Sequence, residues 1–205
     1  MTFPADKHNT KLMQGLALHQ QGKLPEARAL YEAFIKSQPR NADGFHLLGI
    51  VLAQLNQSVQ AINAFDKAIT LNPHNSAFYC NRGNAYFGLS KFEESIKDYG
   101  NAIKLSPEYI EAHFNLGNAY YSMGSFEEAV KSYGQVVHLS PDHVLAWKRR
   151  AESLARIGKH QEAILSLEQV IRCSPQDAES YYYKGVSHHA LEQNDSAIES
   201  YRQAI

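Results

Sequence analysis

An excess of charge of either sign is missing from this chain: 20 Lys and Arg stand against 21 Asp and Glu, a net charge of −1 with 20% of residues charged. A chain so balanced has no global basic field for a phosphate backbone, which argues against nucleic acid as a partner. Cysteine is scarce, with only Cys80 and Cys173, 93 residues apart. They are read as reduced thiols of a reducing compartment. No apolar run approaches the roughly 20 residues of a membrane span, so no membrane association is expected. The N-terminal MTFPADKHNT has neither a basic start nor an apolar stretch, so no secretory signal is expected and the cytoplasm is the expected location.

Motifs of catalysis and metal binding are missing too. There is no HExxH, CxxC or zinc-type Cys/His spacing, no GxxxxGKS/T phosphate loop and no GxSxG elbow. Of the ten histidines, the adjacent His188 and His189 point in different directions on a helix, and His138 and His143 straddle a turn. The carboxylate pairs Glu93-Glu94 and Glu127-Glu128 open helices, where negative charge complements the helix dipole. We therefore expect no enzyme activity in these residues, no cofactor and no metal.

What the chain does have is a period. Prolines stand at 39, 73, 107, 141 and 175, each 34 residues from the last, the mark of a repeat array. Aligned on that proline, the repeats run 8–41, 42–75, 76–109, 110–143, 144–177 and 178–205, after a lead at 1–7. Other columns fall into step: small residues at Gly15, Gly49, Gly83, Gly117, Ala151 and Gly185, and again at Ala27, Ala61, Ser95, Ala129, Ala163 and Ala197. Two small residues in successive helices let those helices approach closely. A large apolar column follows at Tyr31, Phe65, Tyr99, Tyr133, Leu167 and Tyr201, and an aliphatic one four residues on at Ile35, Ile69, Ile103, Val137, Ile171 and Ile205. A spacing of four puts both columns on one helical face.

Helical spacing predicts first helices over about 9–21, 43–55, 77–89, 111–123, 145–157 and 179–191, as with Phe45, Leu48, Leu52 and Leu55. Second helices are predicted over about 25–37, 59–71, 93–105, 127–139, 161–173 and from 195 on. Pro25 fits a first turn, and the later prolines fall just past helix ends, so Asn72-Pro73, Ser106-Pro107, Ser140-Pro141 and Ser174-Pro175 are turns between repeats. No strand-like alternation competes.

These columns resemble the tetratricopeptide repeat family over residues 8–205. Repeat four carries the likeness most fully, with Leu116-Gly117, Tyr120, Ala129, Tyr133 and Pro141; repeat five departs most, with Arg150-Ala151 and Leu154. The resemblance implies an all-α, right-handed superhelical solenoid of about six helix-turn-helix repeats, the last truncated. It also implies a concave groove lined by first helices. Because the chain stops at Ile205 inside a second helix, a solenoid would expose Ile198, Tyr201 and Ile205 there. The expectation is a chain cut from a longer protein, or an uncapped repeat that packs on a partner or on another copy of the chain.

Counting each repeat's first residue as position one, the groove positions are two, five, six, nine, twelve and thirteen. Positions six and nine of repeats three and four are all asparagine: Asn81, Asn84, Asn115 and Asn118. An asparagine offers one acceptor and two donors, so a ladder of them can grip the backbone of an extended peptide; equally, they can be solvated or bridge neighbouring helices. Repeat five follows with Lys148, Arg149 and Arg156, and has six basic and four acidic residues, a charge of +2 against −3 in repeat four. That end suits a carboxylate or phosphate, or is a solvated basic face with Arg150 and Arg156 partly paired to Glu152. Phe87, Tyr121, Phe114, Tyr182 and Tyr183 are the groove aromatics, either binding anchors or packing between repeats. Trp147, by contrast, is expected in a core column.

The expected function is a scaffold that binds an extended peptide in its groove, with a protein or peptide as partner. The asparagines and the cut end are similar to the repeat region of O-linked N-acetylglucosamine transferases, which implies a second possibility, the substrate-recruiting arm of a larger glycosyltransferase. A third is the carboxylate clamp of tetratricopeptide co-chaperones. Asn84, Asn115 and Arg149 fall at three of its five positions, but Cys80 and Leu145 stand at its two lysine positions.

Overall fold

The computed structural model describes residues 7–205, with side chains from Thr10 onward. The lead expected at 1–7 lies outside the described residues except for Lys7. Among the described residues there are twelve helices and no strand. The first helices are α1 (Lys7–Gln20), α3 (Ala42–Gln54), α5 (Ser76–Gly88), α7 (Ile110–Ser122), α9 (Val144–Arg156) and α11 (Ala178–Ala190). The second helices are α2 (Leu24–Ser37), α4 (Ser58–Leu71), α6 (Phe92–Leu105), α8 (Phe126–Leu139), α10 (His160–Cys173) and α12 (Asn194–Gln203). They form two compact units, Met1–Pro107 and Glu108–Ile205.

Turn chemistry sets the helix ends. Between repeats, α4, α6, α8 and α10 end at Asn72, Ser106, Ser140 and Ser174, each just before a proline that cannot continue the helix. The first helices α3, α5, α9 and α11 are each opened by a side-chain acceptor. Asn41 accepts the Gly44 N–H at 2.8 Å, Asn75 that of Ala77 at 3.0 Å, His143 Nδ1 that of Ala146 at 3.1 Å and Asp177 that of Ser180 at 3.0 Å. Within repeats, every turn places one residue in the left-handed region: Gly22, Asn56, Ser90, Gly124, Gly158 and Glu192, all at position fifteen. Glycine takes that conformation without strain, whereas Ser90 and Glu192 adopt it at a cost of roughly 1–2 kcal/mol each.

The small column has a specific reason. A Cβ on Gly15, Gly49, Gly83, Gly117 or Gly185 would come within 2.5–2.7 Å of a ring carbon of Tyr31, Phe65, Tyr99, Tyr133 or Tyr201 respectively. Each glycine is thus the slot for the aromatic ring sixteen residues later in its own repeat. Repeat five changes both halves of the pair: Ala151 fills the slot and the slimmer Leu167 replaces the ring, both 3% exposed in one cluster. In the first unit the rings of Tyr31 and Phe65 join Leu48, Val51 and Leu52 in a single core. In the second, Val136, Val137 and Ala146 pack with Ile110, Phe114 and Trp147.

Two expectations need correction. Trp147 is only half-buried: its indole packs on the cluster of Val136, Val137 and Ala146 while Nε1–H donates to the Pro141 carbonyl at 2.9 Å, as Tyr79 O–H does to Pro73 at 3.2 Å. Tyr201 is not left open either, because its ring fills the slot at Gly185 and lies 5.9 Å from that of Tyr182; Ile198, at 49%, is exposed as expected.

Candidate functional site

In the first unit, Asn81, Asn84 and Phe87 lie on α5 one turn apart. Asn81 donates from Nδ2 to Nε2 of His46 at 2.7 Å, which requires that nitrogen to be unprotonated. His46 sits 5.8 Å from the Phe65 ring and 4.6 Å from that of Phe78. Burial there lowers its pKa to about 4, against a smaller opposing pull from Asp43. Asn84 accepts the hydroxyl of the buried Tyr99 at 2.8 Å. Phe87 packs edge-on against Phe92, with ring centres 5.5 Å apart.

Arg82, between the two asparagines, points to the second helices. It grips Asp98 through Nε and Nη2 at 2.7 and 2.6 Å and Asp66 through Nη1 at 2.5 Å. Burial opposes the charge on both partners of this cluster. Arg82 is nonetheless held more basic by its two aspartates, while the carboxyl of Asp98 is pushed up by burial in spite of Arg82. The geometry decides in favour of an ionised pair, since two parallel charge-assisted bonds to Asp98 are those of a guanidinium and a carboxylate.

In the second unit, α7 carries Asn115, Asn118 and Tyr121, and α9 carries Lys148, Arg149, Glu152 and Arg156. Asn118 repeats the arrangement of Asn84, accepting the Tyr133 hydroxyl at 2.8 Å. Burial raises the pKa of Tyr133 and keeps that hydroxyl a donor. Glu152 is the hub of the surface: Tyr121 donates its hydroxyl to it, Arg149 bonds it at 3.0 Å, and the Arg149 guanidinium lies 5.8 Å over the Tyr121 ring. Tyr121 also packs edge-on against Phe126 at 5.3 Å, and Arg156, exposed, lies 5.8 Å over that same ring.

The basic face is therefore partly neutralised from within. Lys148 bonds Asp177 at 2.8 Å and Glu179 at 3.0 Å. Burial works against its charge, but those two carboxylates outweigh it and raise its pKa. Arg149, not Arg150, is the partner of Glu152; Arg150 turns to the second helices, donating to Ser166 at 2.7 Å. Of the other groove aromatics, Phe114 belongs to the core, against Tyr133 and His143, while Tyr182 and Tyr183 are half exposed and edge-on to each other at 5.5 Å. At the two lysine positions of a carboxylate clamp, Cys80 is buried and Leu145 exposed. Among the described residues no group of three or more His, Cys, Asp or Glu is placed to hold a metal, and no helix is long and apolar enough to cross a membrane.

Sequence reasoning allowed bridging between neighbouring helices as one use of the asparagines but did not identify the tyrosine partners of Asn84 and Asn118. Part of a signal was present: in repeats three and four an asparagine at position nine accompanies a tyrosine at position 24, and a buried phenol needs an acceptor, although Tyr31 and Tyr201 stand at the same position with Leu16 and Val186 at position nine. His46 left no comparable trace, and Glu152 was read as an acidic partner but of Arg150 and Arg156 rather than of Arg149 and Tyr121.

Similar folds recur among solved structures. YrrB, described as a TPR protein with an unusual peptide-binding site, is 22% identical and covers 85% of this chain and 90% of its own, with a TM-score of 0.77. MamA of Desulfovibrio magneticus RS-1 is 18% identical over 83% of this chain and 97% of its own, with a TM-score of 0.77. The pilF product of Pseudomonas aeruginosa is 19% identical over 94% and 88%, with a TM-score of 0.76. At such identities the likeness is one of fold. No curated protein is similar enough in sequence to count as a relative. Family models are more specific: one described as tetratricopeptide repeat matches residues 12–76 and again 115–178, and further models of the same repeat match 64–97, 83–124 and 178–205. With more than half of its length matched and every repeat built on the same glycine-and-ring or alanine-and-leucine pair, this chain belongs to the tetratricopeptide repeat family.

Proposed function

We propose that the chain is a non-catalytic scaffold that binds an extended segment of a protein partner on the faces of its first helices. The observation that carries this reading is the fixed orientation of Asn118. With its carbonyl held by the Tyr133 hydroxyl, the side chain is fixed against flipping, which leaves its amide as a donor of set direction. Around it, Tyr121 and Arg149 offer an aromatic and a guanidinium, two of the side-chain types that dominate binding energy at interfaces. Likeness in fold to YrrB agrees with such a use.

A donor aimed at peptide carbonyls grips backbone and is indifferent to sequence, whereas Arg149 and Arg156 favour acidic residues. The two groups should fail differently. After selection of ligands from a peptide array, Asn118→Ala is expected to weaken all of them alike by ~0.5–1.5 kcal/mol, the value of one neutral hydrogen bond. Arg156→Ala is expected to weaken acidic ligands selectively, with a penalty that shrinks as salt rises. Ligands that bind both variants as they bind the parent would refute the first-helix surface.

A further inference from the structure

Position seven of the repeats carries a cation three times: Arg82, Arg150 and Lys184. The first and last are paired with an acid at position 25 of the preceding repeat, Arg82 with Asp66 at 2.5 Å and Lys184 with Glu168 at 2.9 Å. Arg82 has a second acid, Asp98, at position 23 of its own repeat. Around Arg150 both acids are replaced. The residue matching Asp66 is Gly134, and the residue matching Asp98 is Ser166.

The guanidinium of Arg150 is half-buried at the junction of α8, α9 and α10, on the side of the second helices. It donates one bond, from Nη1 to Ser166 at 2.7 Å, and lies 5.8 Å over the Trp147 ring. Among the described residues no carboxylate forms an ion pair with it. Glu162 acts on it only at a distance and is itself bridged to Lys159 at 3.3 Å. Burial without a counter-charge lowers the arginine's pKa, the reverse of Arg82. Folding does not need a cation here, since Leu48 and Leu116 occupy the same position in repeats two and four. Beside the guanidinium there is room: a Cβ built on Gly134 would meet no atom nearer than Arg150 Nε, at 4.0 Å.

We propose that Arg150 is the receptor for an acidic side chain, Asp or Glu, of a partner protein, whose carboxylate takes beside Gly134 the place that Asp66 and Glu168 hold in the chain's own pairs. The planar Trp147 ring and the Ser166 hydroxyl hold the guanidinium flat and leave Nε and Nη2 to the incoming group, the edge by which Arg82 holds Asp98. A planar carboxylate matches that edge as it does in Arg82. The site lies on the second-helix side, so it is separate from the first-helix surface proposed above and does not rest on it.

The test uses the whole chain and the Arg Nε–Hε resonances in a nitrogen–proton correlation spectrum, titrated at constant ionic strength. The probe is N-acetyl-glutamic acid N-methylamide, with the glutamine counterpart as neutral control and inorganic phosphate as a separate arm. The Arg150 resonance, assigned by its loss in Arg150→Leu, is expected to shift saturably with the glutamate probe alone. Gly134→Asp, which supplies the missing acid within the chain, is expected to abolish that response and to raise Tm above that of the isosteric Gly134→Asn; in an Arg150→Leu background the two should melt alike. Asn118→Ala should leave the response intact. A linear drift shared with the glutamine probe, a response to phosphate in preference to glutamate, or equal Tm for Gly134→Asp and Gly134→Asn with Arg150 present would overturn the assignment.

Discussion

Adding one methyl group to Gly117 brings it against the ring of Tyr133, with 2.6 Å to Cε1, 2.8 Å to Cδ1 and 3.0 Å to Cζ. Carbon atoms in contact prefer about 3.5–4.0 Å, so the ring must move by about 1 Å. It has little freedom to do so, being 0% exposed with its hydroxyl bonded to Asn118 at 2.8 Å. Overpacking of this kind costs about 1–3 kcal/mol. Replacing a mid-helix glycine by alanine returns up to ~1 kcal/mol of helix propensity, so Gly117→Ala is expected to destabilise by about 1–2 kcal/mol. Gly100, in α6 with nothing within 4 Å of its would-be Cβ, supplies the control: Gly100→Ala should stabilise by roughly 0.5–1 kcal/mol. The decisive variant copies repeat five. In a Tyr133→Leu background the alanine should no longer be penalised, since Ala151 and Leu167 already coexist there in the core. A favourable coupling of about 0.5–3 kcal/mol is the signature of residues in contact. Urea melts followed by hydrogen exchange of α7 and α8 measure it, the local readout being needed because repeats unfold through neighbour coupling rather than all at once. Gly117→Ala as benign as Gly100→Ala, or as damaging in the Tyr133→Leu background as with the ring in place, would refute the slot.

Two further outcomes are expected. His46 has a folded pKa of about 4 against 6.5 in the unfolded chain, so between those values the unfolded state takes up a proton the folded state refuses. Stability contributed by the neutral ring is therefore complete above pH 6.5 and lost as pH falls towards 4, by up to about 3 kcal/mol. His46→Gln should flatten the decline in hydrogen-exchange protection of α3 and α5 between pH 7 and 4.5, and an unchanged decline would show that another group is responsible. The expectation of self-association through α12 is tested at Ile198, which is 49% exposed, and not at Tyr201, whose ring is a packing element: any oligomer seen in light scattering should be reduced by Ile198→Glu at unchanged Tm, whereas Tyr201→Glu should lower Tm. An oligomer insensitive to Ile198→Glu would remove α12 from the interface.

The helices and the core columns were legible because six copies of one pattern reinforce each other, so that Ala151 and Leu167 could depart without obscuring it. The left-handed residue at position fifteen was hidden for the opposite reason. Glycine marks it three times, but Asn56, Ser90 and Glu192 do so with residues that sequence alone would place in any turn. On the candidate surfaces the residue types were visible and their obligations were not. For Asn84 and Asn118 peptide contact, solvation and bridging between helices stayed open until the tyrosine hydroxyls behind them were located. Lys148 and Arg149 read as open cations, yet two of their three acidic partners, Asp177 and Glu179, come from a turn and a helix some thirty residues further on. Burial around His46 depends on Phe65 and Phe78 arriving from two other helices, which no local spacing reports.

The glycine slot and its ring sit sixteen residues apart on different helices of one repeat, and this makes the helix pair, rather than the single helix, the unit that recombination can exchange. A crossover in a proline turn carries slot and key together and delivers a repeat whose interior already fits. A crossover in the turn at position fifteen separates them. Joining the first helix of repeat five to the second helix of repeat four would set Ala151 against Tyr133, and the reciprocal product would leave Leu167 short of the slot at Gly117. Duplication and shuffling of such a gene would therefore be filtered at the breakpoints, passing whole repeats and discarding half-repeat hybrids wherever the pair differs.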